Sequence, residues 1–477
     1  MNNKLLLAGT LCTAVSPFVS AQNQQQTAKP NVVFIIADDM GYGDLSCYGQ
    51  KKFDTPNIDK VALHGMRLTQ CYSGTTVSAP SRSSLLTGLH TGHTVVRGNM
   101  EVEPEGQFPI PAETNTIFKM FKEAGYNTGA FGKWGLGSPG SEGDPNNQYV
   151  DEFFGYNCQL LAHNYYPDHL WHNDKRIDFP ENDNGGFGVY SQDLIHKHCL
   201  EFIDNQSDND PFFLFVPSVL PHAELVVPED SIIQGLRGKY PEKPFKGTDS
   251  GPAFRKGGYA SQEHPRATFA AMVKRFDVYV GQIVERLKEK GLYDNTLIIV
   301  TSDNGPHREG GADPDFFNGN GIYRGYKRDL YEGGIRVPLI ASWKGHIEEG
   351  TQSDFMCAFW DLMPTFSDVL GMGTHSKYCG DGLSILPTLK QEGVQKEHDY
   401  LYFEFQEMGG RQAVRKGNWK LIRQNIRKDG GYYELYNVAS DPSENWNVIK
   451  DYPEKYNELK AVMDEAHVED ANWPLLK

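Results

Sequence analysis

The stretch Asn31-Val-Val-Phe-Ile-Ile-Ala37-Asp38-Asp39 is an uninterrupted apolar run that ends in two carboxylates. Such runs are typical of strands buried on both faces of a parallel sheet. Three more runs have the same form and end in polar motifs: 126–131 before Gly132-Lys133-Trp134, 211–216 before Pro221-His222, and 296–302 before Asp303-Asn304-Gly305. Helical patterns at 115–124 and 265–290 lie between them. This alternation predicts an α/β fold with a large mixed, mostly parallel sheet sandwiched by helices.

The polar residues that follow these runs should meet at one edge of the sheet. In open α/β sheets, ligands bind beyond the carboxyl ends of the strands. Asp38, Asp39, Asp303 and Asn304 are hard oxygen ligands, which suit Ca²⁺ or Mg²⁺ better than zinc. Taken singly, the Asp-Asp pair is equally typical of a helix cap or turn, and Asp-Asn-Gly of a plain turn.

The pattern changes after about Gly380. Short β-rich runs at 401–405, 412–415, 419–423 and 432–436 precede an acidic helical stretch at 453–467. They predict a smaller C-terminal antiparallel sheet with one packed helix. We therefore expect a signal peptide at 1–21, a catalytic α/β domain at 22–380 and a C-terminal α+β subdomain at 381–477.

The chain begins like an exported protein. Lys4 precedes an apolar run at 5–15, and Val19-Ser20-Ala21 offers a small-residue cleavage site. No later stretch is apolar for long enough to predict a membrane span, so the expected location is periplasmic or secreted. The net charge of −16 argues against nucleic acid as a partner. An anionic substrate would therefore require positive charge concentrated in one pocket.

The string Ser78-Ala79-Pro80-Ser81-Arg82, followed by Leu85-Leu86-Thr87-Gly88, carries the most specific motif. Read simply, it is an N-capping serine before a helix that starts with proline. It also resembles the maturation signature of the type I sulfatases of the alkaline phosphatase superfamily, Cys/Ser-x-Pro-x-Arg followed by Thr-Gly. In that family the first residue is oxidised to formylglycine (3-oxoalanine), and its hydrated aldehyde is the nucleophile.

The resemblance implies a complete catalytic site. It assigns one divalent cation, Ca²⁺ before Mg²⁺, to Asp38, Asp39, Ser78, Asp303 and Asn304. It implies that the catalytic residues are Ser78, Arg82, Lys133, His222 and Lys327. Arg82 and the cation would position the sulfate, while His222 and Lys327 would assist departure of the sugar alkoxide. The second hydroxyl of the diol would then expel sulfate and restore the aldehyde.

One position departs from the family pattern. The family commonly has a histidine two residues beyond the lysine of Gly-Lys-Trp, and this chain has Gly135. In the family this histidine is often assigned to help deprotonate the diol. We expect Lys133, or a nearby histidine such as His90 or His93, to take over that role. The alternative is a slower elimination step.

Candidate substrate-binding residues lie in loops near these motifs. They are His93, Arg97, Asn99, His163, Tyr165, Tyr166, Trp171 and Arg324, with His169 in the same aromatic loop as Trp171. Aromatic packing under a long loop is an equally good interpretation of any one loop residue. Glu404 and Arg411 are candidates to close the site from the C-terminal subdomain.

The whole-chain pattern resembles the sulfatases of glycan-degrading bacteria, many of which act on galactose or N-acetylgalactosamine sulfates. It implies an exo-acting carbohydrate sulfatase with a sulfated oligosaccharide as substrate. Serine at position 78 resembles the substrates of an oxygen-independent, serine-type radical maturase, the expected partner during biosynthesis. Two alternatives stay open: a phosphoester or phosphonate hydrolase of the same superfamily, and a glycan-binding pseudo-sulfatase in which Ser78 is never oxidised.

Overall fold

The structure, a computed structural model, describes Met1 and residues 29–251, 254, 258–373 and 376–475. The predicted signal peptide at 1–21 lies outside the described residues, apart from Met1. Within these ranges, no helix combines the length and the apolar character that a membrane crossing requires.

The chain forms two sheets and a series of helices. The strands are β1 Asn31–Ala37, β2 Met66–Tyr72, β3 Asn127–Lys133, β4 Glu152–Tyr156, β5 His169–His172, β6 Lys175–Asp178, β7 Phe212–Pro217, β8 Thr296–Ser302, β9 Arg336–Ser342, β10 Thr351–Ser353, β11 Cys357–Ala358, β12 Leu401–Phe405, β13 Arg411–Lys416, β14 Trp419–Gln424 and β15 Tyr432–Asn437. The α-helices are α1 Pro56–Leu63, α2 Ser78–Thr87, α3 Ile117–Glu123, α4 Ser191–Asp204, α5 Ser231–Gln234, α6 Pro265–Glu289, α7 Pro314–Phe317, α8 Glu332–Ile335, α9 Leu362–Val369, α10 Leu386–Lys390 and α11 Pro453–Ala466. Turns of 3-10 helix lie at Ser46–Tyr48, Pro145–Gln148, Leu161–His163, Pro180–Gly185, Tyr293–Asn295 and Phe359–Asp361.

The large sheet has 11 strands, in the order β10-β2-β9-β8-β1-β7-β3-β4-β5-β6, with β11 also paired to β2. Its central strands β8, β1, β7, β3 and β4 run parallel. Antiparallel pairings flank them on both sides. The predicted α/β fold with a large mixed, mostly parallel sheet is therefore confirmed.

Strand β1 is buried at every residue because helices cover both faces of the sheet. Val33 and Ile35 pack into the core that contains α4 and α6. Val32 and Phe34 face the opposite core, where the Phe34 ring meets the edge of Phe366 from α9 at 6.2 Å. Both faces of the strand are apolar for this reason, which explains why its sequence shows no alternation.

The second sheet has the antiparallel order β12-β13-β14-β15. Helix α11 packs on one face of it, where Leu459 and Met463 join Val414 and Leu421 in a small core. The predicted C-terminal antiparallel sheet with one packed helix is thus confirmed.

Buried charges join the two sheets. Lys420 of β14 places Nζ 3.0 Å from Glu332 Oε1 at the start of α8 and 3.0 Å from Glu444 Oε1, with all three side chains fully buried. Arg97 lies 3.4 Å from Glu404 of β12 and is also buried. A buried carboxylate without a cation is strongly destabilising, so these contacts hold the sheets in one arrangement.

We expect Lys420→Met to lower the free energy of unfolding by about 3 to 5 kcal/mol, because it leaves buried carboxylates without their ammonium partner. The matched control is Lys416→Met. Lys416 lies in the same sheet, but its pair with Glu458 is exposed, at 39% and 37% for the two side chains. Exposed pairs contribute about 1 kcal/mol or less. Urea unfolding measures both, and equal losses would contradict this interpretation of the junction.

Candidate active site

The predicted metal ligands meet at the carboxyl ends of β1 and β8. These strands pair in parallel, with Ala37 opposite Ser302, so Asp38 and Asp303 emerge side by side. The Asp303 amide donates to the Ala37 carbonyl at 3.0 Å, and the Asp39 amide donates to Asp303 Oδ1 at 3.0 Å. The three carboxylates have 0% exposure.

Asn304 completes the oxygen cluster. Its Nδ2 donates to Asp39 Oδ1 at 2.7 Å, whereas its Oδ1 is buried without a hydrogen-bond partner. Asp39 has a φ of 60°, a left-handed conformation that is uncommon outside glycine, asparagine and aspartate. The turn after β1 thus presents two consecutive carboxylates to the same place.

Two buried cations from other elements neutralise the cluster. Arg82 of α2 donates to Asp303 Oδ2 from Nε at 3.1 Å and from Nη2 at 2.9 Å. Its Nη1 donates to the backbone carbonyl of Lys133 at 2.7 Å. Lys133, the last residue of β3, places Nζ 2.6 Å from Asp38 Oδ2. These two cations offset part of the negative charge that would otherwise repel an anionic substrate.

Ser78 lies within this arrangement, at the first residue of α2. Its hydroxyl donates to Asp38 Oδ1 at 2.9 Å, and Lys133 Nζ lies 3.5 Å from its Oγ. The simple interpretation of Ser78 as a capping serine is wrong. Val77 occupies the N-cap position, without a side-chain cap, and the Ser78 hydroxyl is used on Asp38.

His222 and Lys327 form the other side of the site. His222 Nδ1 donates to the Ala223 carbonyl, so its Nε2 carries the lone pair that accepts from Lys327 Nζ at 2.9 Å. Lys327 Nζ also donates to Asp39 Oδ2 at 2.8 Å and to Glu309 Oε2 at 3.3 Å. His163 and His307 both stack with the His222 ring, at centroid distances of 4.8 and 5.6 Å.

Burial and neighbouring charges set the protonation states. Burial would raise the pKa of Asp38, but the cations around it, Lys133 foremost, hold the pKa well below its ordinary value. Burial and the adjacent Asp38 charge raise the pKa of Asp303 to about 7. Burial lowers the pKa of His222 well below its ordinary value, so the ring is neutral. Burial would also lower the pKa of Lys327, but Asp39 and Glu309 raise it above its ordinary value.

Four residues of the site were missed by sequence reasoning: Tyr259, His307, Glu309 and Arg328. Glu309 accepts from the Tyr259 hydroxyl at 3.0 Å and lies 2.5 Å from Arg328 Nη1. Three of these residues, His307, Glu309 and Arg328, could have been found from their position in the sequence, close to predicted site residues. Arg328 directly follows Lys327, and the polar stretch 306–309 continues the Asp303 motif.

Two predicted substrate-binding residues lie beside the cluster. Asn99 is exposed, and its Oδ1 accepts from the backbone amide of Ala79, next to Ser78, at 3.3 Å. His163 stacks on His222 and has a buried Nδ1 without a hydrogen-bond partner.

The structure engages the other candidates elsewhere. The Tyr165 hydroxyl donates to the carbonyls of Val219 and His222, and the Tyr166 ring packs on Tyr190 and Phe187. His93 pairs with Asp381, and both Trp171 and His169 form hydrogen bonds with Glu105. The C-terminal subdomain is contacted by Arg97 and Arg324. Glu404 is buried against Arg97, and Arg411 donates to Asp329. Their predicted contacts with substrate stay predictions.

A larger side chain at position 135 would strain the backbone and would require the Gln159 side chain to move. The φ of Gly135 is 73°, and a Cβ built there would lie 2.6 Å from Gln159 Nε2. Of the groups expected to replace the family histidine, Lys133 is beside Ser78. His90 and His93 stack on each other and gather around Asp381 at the edge of the C-terminal subdomain.

Comparison with known families decides the classification. The family model described as Sulfatase matches residues 30–372. The chain belongs to the sulfatase family. A model for the C-terminal region of N-sulphoglucosamine sulphohydrolase also matches residues 321–471. The protein is therefore a hydrolase of sulfate esters. Several of its relatives are named as sulfatases of carbohydrates.

The similarity extends over most of the chain. The N-acetylgalactosamine-6-O-sulfatase of Bacteroides thetaiotaomicron is 27% identical over 96% of this chain and 97% of its own length. The human N-acetylgalactosamine-6-sulfatase is 30% identical over 78% of this chain and 68% of its own. The crystal structure of Ps i-CgsB superposes with a TM-score of 0.75 at 28% identity, covering 92% of each chain. Ps i-CgsB was also crystallised with k-i-k-neocarrahexaose.

The sulfatase family implies a divalent cation, and the residues of this cluster fit one. Asp38, Asp39, Asp303 and Asn304 supply hard oxygens. The buried Asn304 Oδ1 has no hydrogen-bond donor, and a bound cation would be its partner. The raised pKa of Asp303 reports the same crowding of carboxylates. His222 is a poorer ligand because both its ring nitrogens are already engaged.

We expect CaCl2 added to chelator-treated protein to raise its unfolding temperature, because a ligand that binds only the folded state at about 100 times its Kd stabilises by ~2.7 kcal/mol. Asn304→Ala removes a ligand oxygen and should reduce this shift. Asn115→Ala is the control and should keep the full shift, because Asn115 is only partly buried and its Nδ2 donates to the Lys377 carbonyl at 3.5 Å, with no contact to the cluster. Equal calcium shifts in the two variants, measured by differential scanning calorimetry, would contradict this assignment.

Proposed function

We propose that this protein is an exo-acting carbohydrate sulfatase that removes O-sulfate from galactose or N-acetylgalactosamine residues of glycans, through a formylglycine made from Ser78. The observation that carries the proposal is the position of the Ser78 hydroxyl. It lies between a buried carboxylate and a buried ammonium, 2.9 Å from Asp38 Oδ1 and 3.5 Å from Lys133 Nζ. A serine that only capped a helix would have no use for this arrangement.

Residue 78 supplies the nucleophile. When formed, the hydrated aldehyde offers one hydroxyl to attack sulfur and a second whose deprotonation releases sulfate. Asp38 accepts the hydrogen of the hydroxyl at this position and so orients its lone pairs. Lys133 places its ammonium beside the same oxygen, where it stabilises negative charge among buried groups. We therefore propose that Lys133 compensates for the family histidine that Gly135 replaces, by stabilising the negative charge of the deprotonated diol.

Lys327 and His222 serve the leaving group. Lys327 is protonated, and its three N–H groups point to Asp39, His222 and Glu309. His222 is neutral and accepts from Lys327, so the proton held between them is available to the departing sugar oxygen. Arg82 holds Asp303 and the end of β3 in place and adds positive charge for the sulfate.

A divalent cation, for which Ca²⁺ fits the carboxylate and amide oxygens best, would be held by Asp38, Asp39, Asp303, Asn304 and the oxygen of residue 78. Bound there, it would polarise the sulfate oxygens. Mg²⁺ fits the same donor types but demands a more regular octahedron.

The names of the relatives support the carbohydrate substrate. Proteins named as N-acetylgalactosamine-6-sulfatases match this chain over three quarters of its length or more, and an oligosaccharide occupies a structure of Ps i-CgsB. Asn99 and His163 are the candidates for sugar contacts nearest the cluster. The signal peptide predicted at 1–21 is our reason to propose a periplasmic or secreted enzyme, and serine at position 78 is our reason to propose maturation by a serine-type radical enzyme.

The histidines around the cluster disfavour a phosphoester or phosphonate hydrolase with two transition metals. His307 donates from Nε2 to the Pro221 carbonyl at 3.1 Å and accepts the Glu309 amide on Nδ1 at 3.1 Å. The nitrogens of His222 are used in the same way. A second metal bound through these histidines would have to break their hydrogen bonds.

The mature protein should carry an aldehyde at residue 78, about two mass units lighter than serine, in peptide mass spectra from the native host. Ser78→Ala should lose sulfate release by several orders of magnitude, as removal of a catalytic nucleophile does. Ser84→Ala is the matched control in the same helix, because the Ser84 hydroxyl has no hydrogen-bond partner. Sulfate release that persists in Ser78→Ala would contradict the mechanism. An unmodified Ser78 in an inactive native protein would favour the pseudo-sulfatase.

A further inference from the structure

Arg328 is the cation of the site that faces outward. The exposed fraction rises along one chain of contacts, from 6% for Lys327 through 19% for Glu309 to 36% for Arg328. Glu309 binds both cations, Lys327 through Oε2 at 3.3 Å and Arg328 through Oε1 at 2.5 Å. Lys327 is therefore the inner partner of this carboxylate, and Arg328 is the outer, more exposed one.

The two cations differ in the hydrogen-bond donors they have left. The Lys327 ammonium has three N–H groups and three acceptors around it, on Asp39, His222 and Glu309. Arg328 carries five N–H groups, and among the residues that the structure describes the carboxylate paired with it is Glu309, which lies against one terminal nitrogen, Nη1. The guanidinium thus keeps an edge of parallel donors, the geometry that binds a carboxylate or a sulfate through two hydrogen bonds.

The backbone holds Arg328 in an uncommon conformation. Its φ is 78°, in the left-handed region, which costs a non-glycine residue about 1 kcal/mol or more. The Lys327 amide donates to the Pro306 carbonyl at 2.9 Å, and the Arg328 amide donates to the Thr76 carbonyl, two residues before Ser78, at 3.1 Å. Side chains of consecutive residues in an extended chain point to opposite sides. The left-handed turn instead brings both to Glu309.

Arg328 offsets the negative charge of Glu309, the most exposed carboxylate of the cluster, whereas the proposed divalent cation would bind the inner carboxylates. Arg82, Lys133 and Lys327 face four carboxylates, those of Asp38, Asp39, Asp303 and Glu309. Without Arg328 the carboxylate of Glu309, the outermost of the four, would present negative charge to an arriving anion. Arg328 cancels that charge and adds donors on the solvent side.

We propose that Arg328 is a substrate-binding residue that binds a second anionic group of the glycan, a carboxylate or another sulfate, near the sulfate being removed. The inference rests on the proposed function, since it concerns the glycan bound at the same site. It makes Arg328 a determinant of specificity: substrates with two negative charges are preferred over those with one.

The test compares substrates that differ in one anionic group. The probes are N-acetylgalactosamine 6-sulfate, its 4,6-disulfate, and the 6-sulfate linked to glucuronate. Arg328→Gln in the matured enzyme should raise KM for one of the doubly charged probes about tenfold to a hundredfold more than KM for the monosulfate, because a charge-assisted hydrogen bond is lost. Arg328→Lys keeps the charge but loses the pair of parallel donors, so its KM for that probe should lie between those of the wild type and Arg328→Gln. The two doubly charged probes separate a site for sulfate from a site for carboxylate.

Binding without turnover gives a second readout. In a Ser78→Ala background, calorimetric Kd values for the same probes should show the same selective loss in Arg328→Gln. Arg308→Gln is the matched control: Arg308 lies on a neighbouring loop, half-exposed, and pairs with Asp315, so the ratio of the Kd values should not change. Equal weakening for all probes, or none for any, would overturn the assignment of Arg328. If matured wild-type protein releases sulfate from none of the sugars, the proposed function itself fails.

Discussion

The buried carboxylate of Asp38 is the interaction on which the rest of the site depends. It has no contact with solvent, yet it accepts the Ser78 hydroxyl on one oxygen and the Lys133 ammonium on the other. Burying such a group is costly unless cations and hydrogen bonds surround it. Lys133 at the end of β3 and Arg82 on α2 supply that charge, so the elements that make the site chemically useful also make it stable.

The parallel centre of the sheet is what brings these groups together. Because β8, β1, β7 and β3 are neighbours and run the same way, the residues that follow them share one edge without long connections. Helix α2 then sets Ser78 against that edge. The net charge of the chain is −16, whereas Arg82, Lys133, Lys327 and Arg328 balance the four carboxylates of this cluster, so a bound divalent cation would make the site positive, as a sulfate ester requires.

The parts predictable from the sequence were those written in consecutive residues. Apolar runs without alternation predicted the central strands, and the motifs after them predicted Asp38, Ser78, Lys133 and Lys327. Contacts between distant loops were not predictable. The contacts of Arg97 with Glu404 and of Arg324 with the Glu444 carbonyl are examples, whereas the predicted contacts of both arginines with substrate stay predictions. Glu309 and Arg328 were missed because their pairing depends on the left-handed backbone conformation of Arg328, which an arginine in the sequence does not indicate.

The most direct test of this arrangement is a crystal structure of the matured protein grown with calcium, with the cation located by its anomalous scattering. We predict one cation in contact with Asp38, Asp39, Asp303 and the Asn304 Oδ1, with the modified residue 78 beside it. A cation bound through His222 or His307, or a cluster that stays free of metal while Lys133 and Arg82 alone hold the carboxylates, would contradict the assignment of these residues as a sulfatase active site.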